Sequence, residues 1–341
     1  MDHAPCPRSA RRRPTGRALR ATVVALAAGI AVACSAAAPV APPAPDPPAV
    51  AQLVARTTGD GAYTHLQALA GITQANGGNR ATGGPGYDAS ADHVAAVLRD
   101  AGFDVSTPTF VLERDGRRGE YRNVVAQTRT GDPRRAVMAG AHLDSVRRGL
   151  GMDDNGTGVA SLLEIATWMG GSPPVTRAVR FAFWGAEEID YEGSRSYVDS
   201  LSGNETPVLY LNLDMVGAPN AGYFVQGASG GPDGSATVAI DLTRRFVALG
   251  VTPDPMDLEG KLGLRPVRER GIPSAGLLAG DSEHKSADQA RRWGGEQGEV
   301  FDRCYHSACD DLTNVDRLAL DRFTDVAAGT LARFASTGDL P

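Results

Sequence analysis

The sequence predicts an α/β fold: a three-layer α/β/α sandwich around a mostly parallel central sheet, in a single domain. Three observations predict it. Apolar runs at 123–127, 136–141, 179–184 and 208–213 lack polar alternation, as strands buried on both faces do. Stretches of helical apolar spacing fall between and after these runs, the pattern of a parallel sheet sheathed by helices. The length of 341 residues, 42% hydrophobic and 22% charged, suffices for one large core. It excludes wholesale disorder, a collagen-like chain and a multispan membrane protein.

Residues 1–33 read as an export signal. Arg8, Arg11, Arg12, Arg13, Arg17 and Arg20 precede the uncharged, small-residue stretch 21–33, which is too short to span a bilayer. Two processing routes fit. Ala31-Val32-Ala33-Cys34 has the form of a lipobox, with Cys34 lipidated, and Ala36-Ala37-Ala38 offers an ordinary cleavage site. Either route places the protein outside the cell, as a secreted protein or a surface lipoprotein. With the six Arg and one Asp of this leader set aside, the net charge of −6 becomes −11. So acidic a surface argues against nucleic acid, and leaves a lipid at Cys34 as the one expected link to a membrane.

Residues 34–54 are expected to be a Pro/Ala-rich linker, because PVAPPAPDPPA favours extended chain over helix. The folded domain is expected to span 55–338. Leu66, Leu69 and Ile72 mark a first helix; Val94, Val97 and Leu98 mark a second, stopped by Gly102. The four apolar runs follow, with helical stretches at 157–169, 194–201, 236–249 and 316–334.

Ligands of such sheets gather at the carboxyl ends of the strands, and chemistry-bearing residues sit at those ends here. His142 and Asp144 follow the second run, Glu187 and Glu188 the third, and Asp214 the fourth. Asp153 and Asp154 lie in GMDDNGTG just before a helix, and His306 stands between Cys304 and Cys309. Singly, each has an ordinary explanation: a turn, a helix cap, a stapled loop. Three consecutive strands delivering acidic or imidazole groups at one end point instead to a metal hydrolase, with a borderline-soft cation such as zinc.

At these residues the chain resembles the secreted bacterial double-zinc aminopeptidases, the streptomycete type in particular. The resemblance runs from Asn76 to Phe334 through NGGNRATGGPGYDAS, AHLDSVRRGLGMDDNGTGVA, VRFAFWGAEE, YLNLDMVGAPNAGYFV, KSADQARRWGGEQG and FDRCYHSACDDL. It implies a single zinc-peptidase domain holding two zinc ions. His142 and Asp214 would bind one, Glu188 and His306 the other, and Asp154 would bridge them. Glu187 would be the general acid/base and Tyr305 an oxyanion donor. The family's unusual cis peptide would fall at Asp153-Asp154. Substrates would be peptides with a free N-terminus, large apolar first residues being favoured, and the protein a monomer.

Asp144 is placed to support the other ring nitrogen of His142, or else is a turn carboxylate. A Cys304–Cys309 disulfide would hold Tyr305 and His306 in place; the rival reading makes the two thiolates zinc ligands. The family's Gly-Arg-Ser-Asp-His-Ala-Pro-Phe is replaced by residues 260–267, where Lys261 and Arg265 are the candidates for substrate contact. Calcium is carried over only in half. Asp321 and Asp325 match the C-terminal part of the family's site, and no N-terminal Asp matches. Two other functions compete: a glutaminyl cyclase of the same fold, which uses one zinc, and a surface-tethered peptide- or metal-binding lipoprotein with weak or no catalysis.

Overall fold

A computed structural model describes residues 46–114, 117–256 and 263–337. In chain order these form α1 (Pro48–Arg56), α2 (Gly59–Ala75), α3 (Pro85–Asp100), β1 (Asp104–Ser106), β2 (Thr109–Arg114), β3 (Arg117–Arg122), β4 (Val124–Gln127) and β5 (Asp132–His142). There follow α4 (Gly158–Met169), β6 (Arg177–Trp184), α5 (Glu192–Ser200), β7 (Leu209–Asp214), β8 (Phe224–Gln226), α6 (Ser235–Ala248) and β9 (Asp254–Met256). The last elements are α7 (Arg265–Glu269), β10 (Ser274–Leu278), α8 (Ala287–Trp293) and α9 (Arg317–Ser336).

Eight strands make one sheet in the order β1-β4-β6-β5-β7-β10-β8-β9, with β2 and β3 as a separate hairpin. The central four, β6, β5, β7 and β10, run parallel; β4 and β8 flank them antiparallel. The sheet divides two cores. Val137, Ala139, Ala141, Phe181, Phe183, Leu211 and Leu213 face a thick layer of α1–α4, α6 and α9, whereas Met138, Ala182, Trp184 and Tyr210 face a thin layer of α5 and α7. That alternation within uninterrupted apolar runs is the expected consequence of burial on both faces.

The helices end where their sequence stops them. Thr58 caps α2 by accepting the N–H of Gly61, Asp316 caps α9 through Leu318 and Ala319, and Gly102 at φ +90° closes the turn after α3. Among the described residues no helix is long and apolar enough to cross a membrane.

The linker expectation needs correction at its end. Pro48 starts α1, Val50 and Leu53 are buried in the main core, and the Asp46 carboxylate grips Arg245 through two bonds of 2.8 Å. Proline is well tolerated in the first turn of a helix, where its missing N–H has no partner to lose. The fold therefore starts by residue 46, not 55. Cys34, the candidate lipid site, lies outside the described residues.

Candidate metal centre

Because β6, β5 and β7 are adjacent and parallel, their last residues meet at one edge: His142 pairs in register with Trp184, and Asp214 ends β7 beside Leu278 of β10. The backbone is forced into unusual shapes here. The non-glycine residues at positive φ among those described are Ala186, Asp190, Tyr191, Met215 and His306, and all five lie in the loops around this edge. Asp154 arrives from the irregular turn Met152–Thr157, whose cis peptide bond joins Asp154 to Asn155, one residue later than the resemblance implies. Asn155 clamps that turn to β7: its side-chain amide donates to Leu213 O, and its Oδ1 accepts the N–H groups of Met215 and Gly158.

The Asp154 carboxylate stands between two imidazoles. Its Oδ1 is 3.1 Å from His142 Nε2, and its Oδ2 is 3.0 Å from His306 Nε2. Asp214 Oδ1 lies 3.4 Å from His142 Nε2, and Glu188 Oε2 lies 3.1 Å from His306 Nε2. Glu187 Oε2 is farther, 4.0 Å from His142 Nε2. His142, Glu187 and Asp214 converge closely enough to hold an ion, as do His142, Asp154 and Glu188; the shortest contacts nevertheless pair His306, not His142, with Glu188.

Zinc suits this donor set. Tetrahedral bonds of about 2.0–2.1 Å put neighbouring donor atoms roughly 3.3 Å apart, which the spacings above match. Glu188 Oε1 is buried with no hydrogen-bond partner, as a ligand oxygen awaiting a cation would be.

The electrostatics show the same shortage of positive charge. Burial pushes Glu187, Glu188 and Asp214 up, Glu187 far above the usual carboxylate range. Burial lowers His142, but the negative charges of Glu187, Asp214, Asp144 and Asp154 around it outweigh burial and leave the ring well above its ordinary value. Bonds to Asp154 and Glu188 hold His306 up at about 10. Asp154 is pulled down by its two imidazole partners in spite of burial.

Asp144 is fully buried, and its roles are divided differently from the expectation. Its backbone carbonyl accepts from His142 Nδ1 at 2.9 Å, which turns Nε2 toward Asp154 and Asp214 as the nitrogen available to a cation. Its carboxylate turns away to accept the N–H groups of Glu187 (3.0 Å) and Glu188 (3.3 Å) and the Thr82 hydroxyl (3.0 Å). Asp153 is buried, braced by Gly217 N–H and the Thr157 hydroxyl. Cys304 and Cys309 form a disulfide, so they are not free thiolates, and the Tyr305 ring stacks on His306 with centroids 3.9 Å apart. Arg265 is exposed, bound to Glu269 and 3.9 Å from Asp190. Lys261 lies outside the described residues. Asp321 accepts the N–H of Gly59, and Asp325 is pushed up to about 7 by burial and Asp321. Neither belongs to a three-donor group among the described residues.

Two supports are not legible as sequence motifs. The Asp310 carboxylate accepts the N–H groups of both Asp153 (2.7 Å) and Asp154 (3.1 Å), from 157 and 156 residues away. Arg80, completely buried, spends its guanidinium on the carbonyls of Leu143, Leu150 and Gly151, tying the loops that flank His142 and Asp154. The donors open into a cavity of about 350 Å³, whose wall also includes Asp190, Tyr191, Met215, Asp281 and Tyr305.

Known proteins share this arrangement of sequence and fold. The model of Peptidase family M28 matches residues 123–331. Leupeptin-inactivating enzyme 1 of Streptomyces exfoliatus is 43% identical over 270 residues, 77% of this chain and 59% of that protein. The probable lipoprotein aminopeptidase LpqL of Mycobacterium tuberculosis is 43% identical over 244 residues, 67% of this chain and 49% of that protein. The chain thus spans about half to three-fifths of the length of these relatives. The aminopeptidase from Aneurinibacillus sp. strain AM-1 superposes with a TM-score of 0.68 at 16% identity, covering 86% of this chain and 97% of that one. The glutaminyl cyclase of Porphyromonas gingivalis does so with a TM-score of 0.63 at 23% identity, covering 81% and 98%. At such identities these two likenesses speak to fold alone.

Proposed function

The chain belongs to peptidase family M28, and from that premise we propose that it is an exported zinc aminopeptidase, releasing the first residue from peptides with a free N-terminus. The observation that carries the reading is Asp154, one carboxylate with an oxygen turned to each of two imidazoles, each of which has a further carboxylate beside it. That is the donor arrangement for two cations joined by a bridging ligand. His142 and Asp214 would hold one zinc and His306 and Glu188 a second, with Asp154 a ligand that both could share. Zinc held there supplies Lewis-acid polarisation of the scissile carbonyl and acidifies the attacking water.

The chain's own residues do the rest. Glu187, beside a ligand but set back from the imidazoles, takes the proton of the water as its oxygen attacks the carbonyl carbon. It then gives that proton to the leaving amine as the C–N bond breaks. The Tyr305 phenol donates a hydrogen bond to the oxyanion. In the metal-free fold burial, with Asp154, Glu188 and Asp214 adding to it, raises its pKa, and the protonated phenol is the form that donates. The disulfide holds Tyr305 and His306 in one short loop. Met215, Tyr191 and Tyr305 offer the apolar wall against which a large first side chain rests.

The disulfide and the basic leader support export. A relative named as a lipoprotein supports the lipidated route through Cys34. The second carboxylate–imidazole pair favours peptidase over glutaminyl cyclase, for which one zinc suffices. The test is a panel of aminoacyl-p-nitroanilides, with and without chelator, against the full chain and Glu187→Ala. Chelator-sensitive release from free-amine substrates only, lost in the variant, is expected. A folded, zinc-loaded protein without turnover would overturn the reading and favour the peptide-binding lipoprotein.

A further inference from the structure

Residues 145–151 join the strand that carries His142 to the turn that carries Asp154, and Arg80 holds both ends of this loop. Its backbone N–H donates to Ser145 Oγ at 2.9 Å, and its guanidinium binds the carbonyls of Leu150 and Gly151. Gly149, at φ +87°, leaves no room for a Cβ against Ser307 O, so the loop rests on the disulfide-closed turn that carries Tyr305 and His306. Between these anchors the side chains of Arg147 and Arg148 are exposed. Neither makes a hydrogen bond or an ion pair among the described residues.

Arg147 helps to wall a second cavity, of about 690 Å³. Glu188 belongs to the walls of both this cavity and the metal cavity, so the two adjoin at a ligand. Leu112, Tyr121, Val146 and Ile189 give the second cavity apolar surface. The first two come from the β2–β3 hairpin, which stands outside the main sheet. Tyr121 is locked there, since neither Gly83 nor Gly119 has room for a Cβ against its ring. The acids on this wall are already engaged. Asp144 accepts from Thr82, Glu187 and Glu188, and Glu188 faces His306. Arg147 is the one cationic side chain among the described residues that line the cavity.

An aminopeptidase holds the first residue and the scissile bond at its metals, and the rest of the peptide runs out past them. The carboxylates of the metal cavity suit the α-ammonium end. The adjoining cavity offers apolar walls and an unpaired guanidinium, whose planar fork matches a carboxylate. A short peptide is a dipolar ion, and the two cavities share its polarity.

We propose that the second cavity receives the part of the peptide beyond the cut bond, and that Arg147 is a specificity-determining residue there. It pairs with a carboxylate of that part, either the C-terminal group of a short peptide or an acidic side chain. The proposal rests on the aminopeptidase reading, and its test separates the two. Hydrolysis of Leu-Gly-Gly is compared with that of its C-terminal amide, and Leu-Glu-Gly-amide with Leu-Gln-Gly-amide. The proteins are the zinc-loaded full chain, Arg147→Gln, Arg147→Glu and Arg148→Gln, with leucyl-p-nitroanilide run beside the peptides. A solvent-facing ion pair predicts kcat/KM about 3–5-fold higher for the carboxylate member of a pair, mainly through KM and fading as salt rises. The first pair responds if the C-terminus is the partner, the second if the side chain is. The acidic chain by itself favours the uncharged member, so a preference for the carboxylate reports a local cation. Arg147→Gln should bring the members level and Arg147→Glu should favour the uncharged one, while Arg148→Gln keeps the preference. No preference in either pair, or one that Arg147→Gln leaves in place or Arg148→Gln abolishes equally, overturns the proposal, while turnover of leucyl-p-nitroanilide keeps the peptidase. If nothing turns over, the peptidase reading falls and calorimetric binding decides. Tighter binding of Leu-Gly-Gly than of its amide, lost in Arg147→Gln, then upholds the site, and equal binding overturns it.

Discussion

Replacing Asp144 by asparagine should unsettle the turn that carries Glu187 and Glu188 more than the ring of His142. The Asp144 carboxylate accepts Glu187 N–H at Oδ1, and both Glu188 N–H and the Thr82 hydroxyl at Oδ2. His142 Nδ1 lies 3.7 Å from that carboxylate and leans instead on the backbone carbonyl, which the substitution leaves in place. Asparagine keeps one oxygen and sets an amino group against a backbone N–H or the hydroxyl. One charge-assisted bond is lost, about 1.5–3 kcal/mol, and a buried donor is left unpaired, about 1–3 kcal/mol more. The expected destabilisation is therefore roughly 3–5 kcal/mol, or on the order of 10 °C in Tm for a domain of this size. Because the displaced turn holds a ligand, zinc affinity should fall about 10–100-fold. Thermal melts and competition with a coloured chelator read the two effects on one preparation. A variant that melts within a degree of the wild type and holds zinc equally well would refute the role given to Asp144.

Three further outcomes follow from the same geometry. Glu187→Gln should lower kcat by about 10²–10⁴ while retaining zinc, because it removes the proton carrier and no ligand; metal analysis beside kinetics checks this. Tyr305→Phe should cost about 10²–10³ in kcat with an unchanged fold, measured by steady-state kinetics and circular dichroism. Chelation should lower Tm, and more so at pH 8 than at pH 5. Glu187, Glu188 and Asp214 are raised in the metal-free fold, so their contribution is full below the unfolded carboxylate pKa and lost as pH rises through the folded values. Melts with and without chelator across that range check the sign.

The centre of the fold was readable because β5, β6 and β7 are buried on both faces and so appear as apolar runs, each ending in a chemical group. The periphery was not. β3 reads RRGEYR and carries no apolar pattern, while β8 and β9 are three residues each, too short for periodicity to show. β10 was missed too, although it lies beside β7 and completes the parallel centre of the sheet. Composition misplaced the start of the fold, since prolines that suggest extended chain also sit comfortably in the first turn of α1. Asp310 and Arg80 act on backbone groups distant in sequence, and nothing local marks them.

The most direct test of a two-cation aminopeptidase is to titrate zinc into the metal-free full chain while following hydrolysis of leucyl-p-nitroanilide and its N-acetylated counterpart. Activity on the free-amine substrate should reach its maximum only at two equivalents of zinc, with none on the blocked one. A maximum at one equivalent, or turnover of the blocked substrate, would contradict the shared role of Asp154 and the exopeptidase reading built on it.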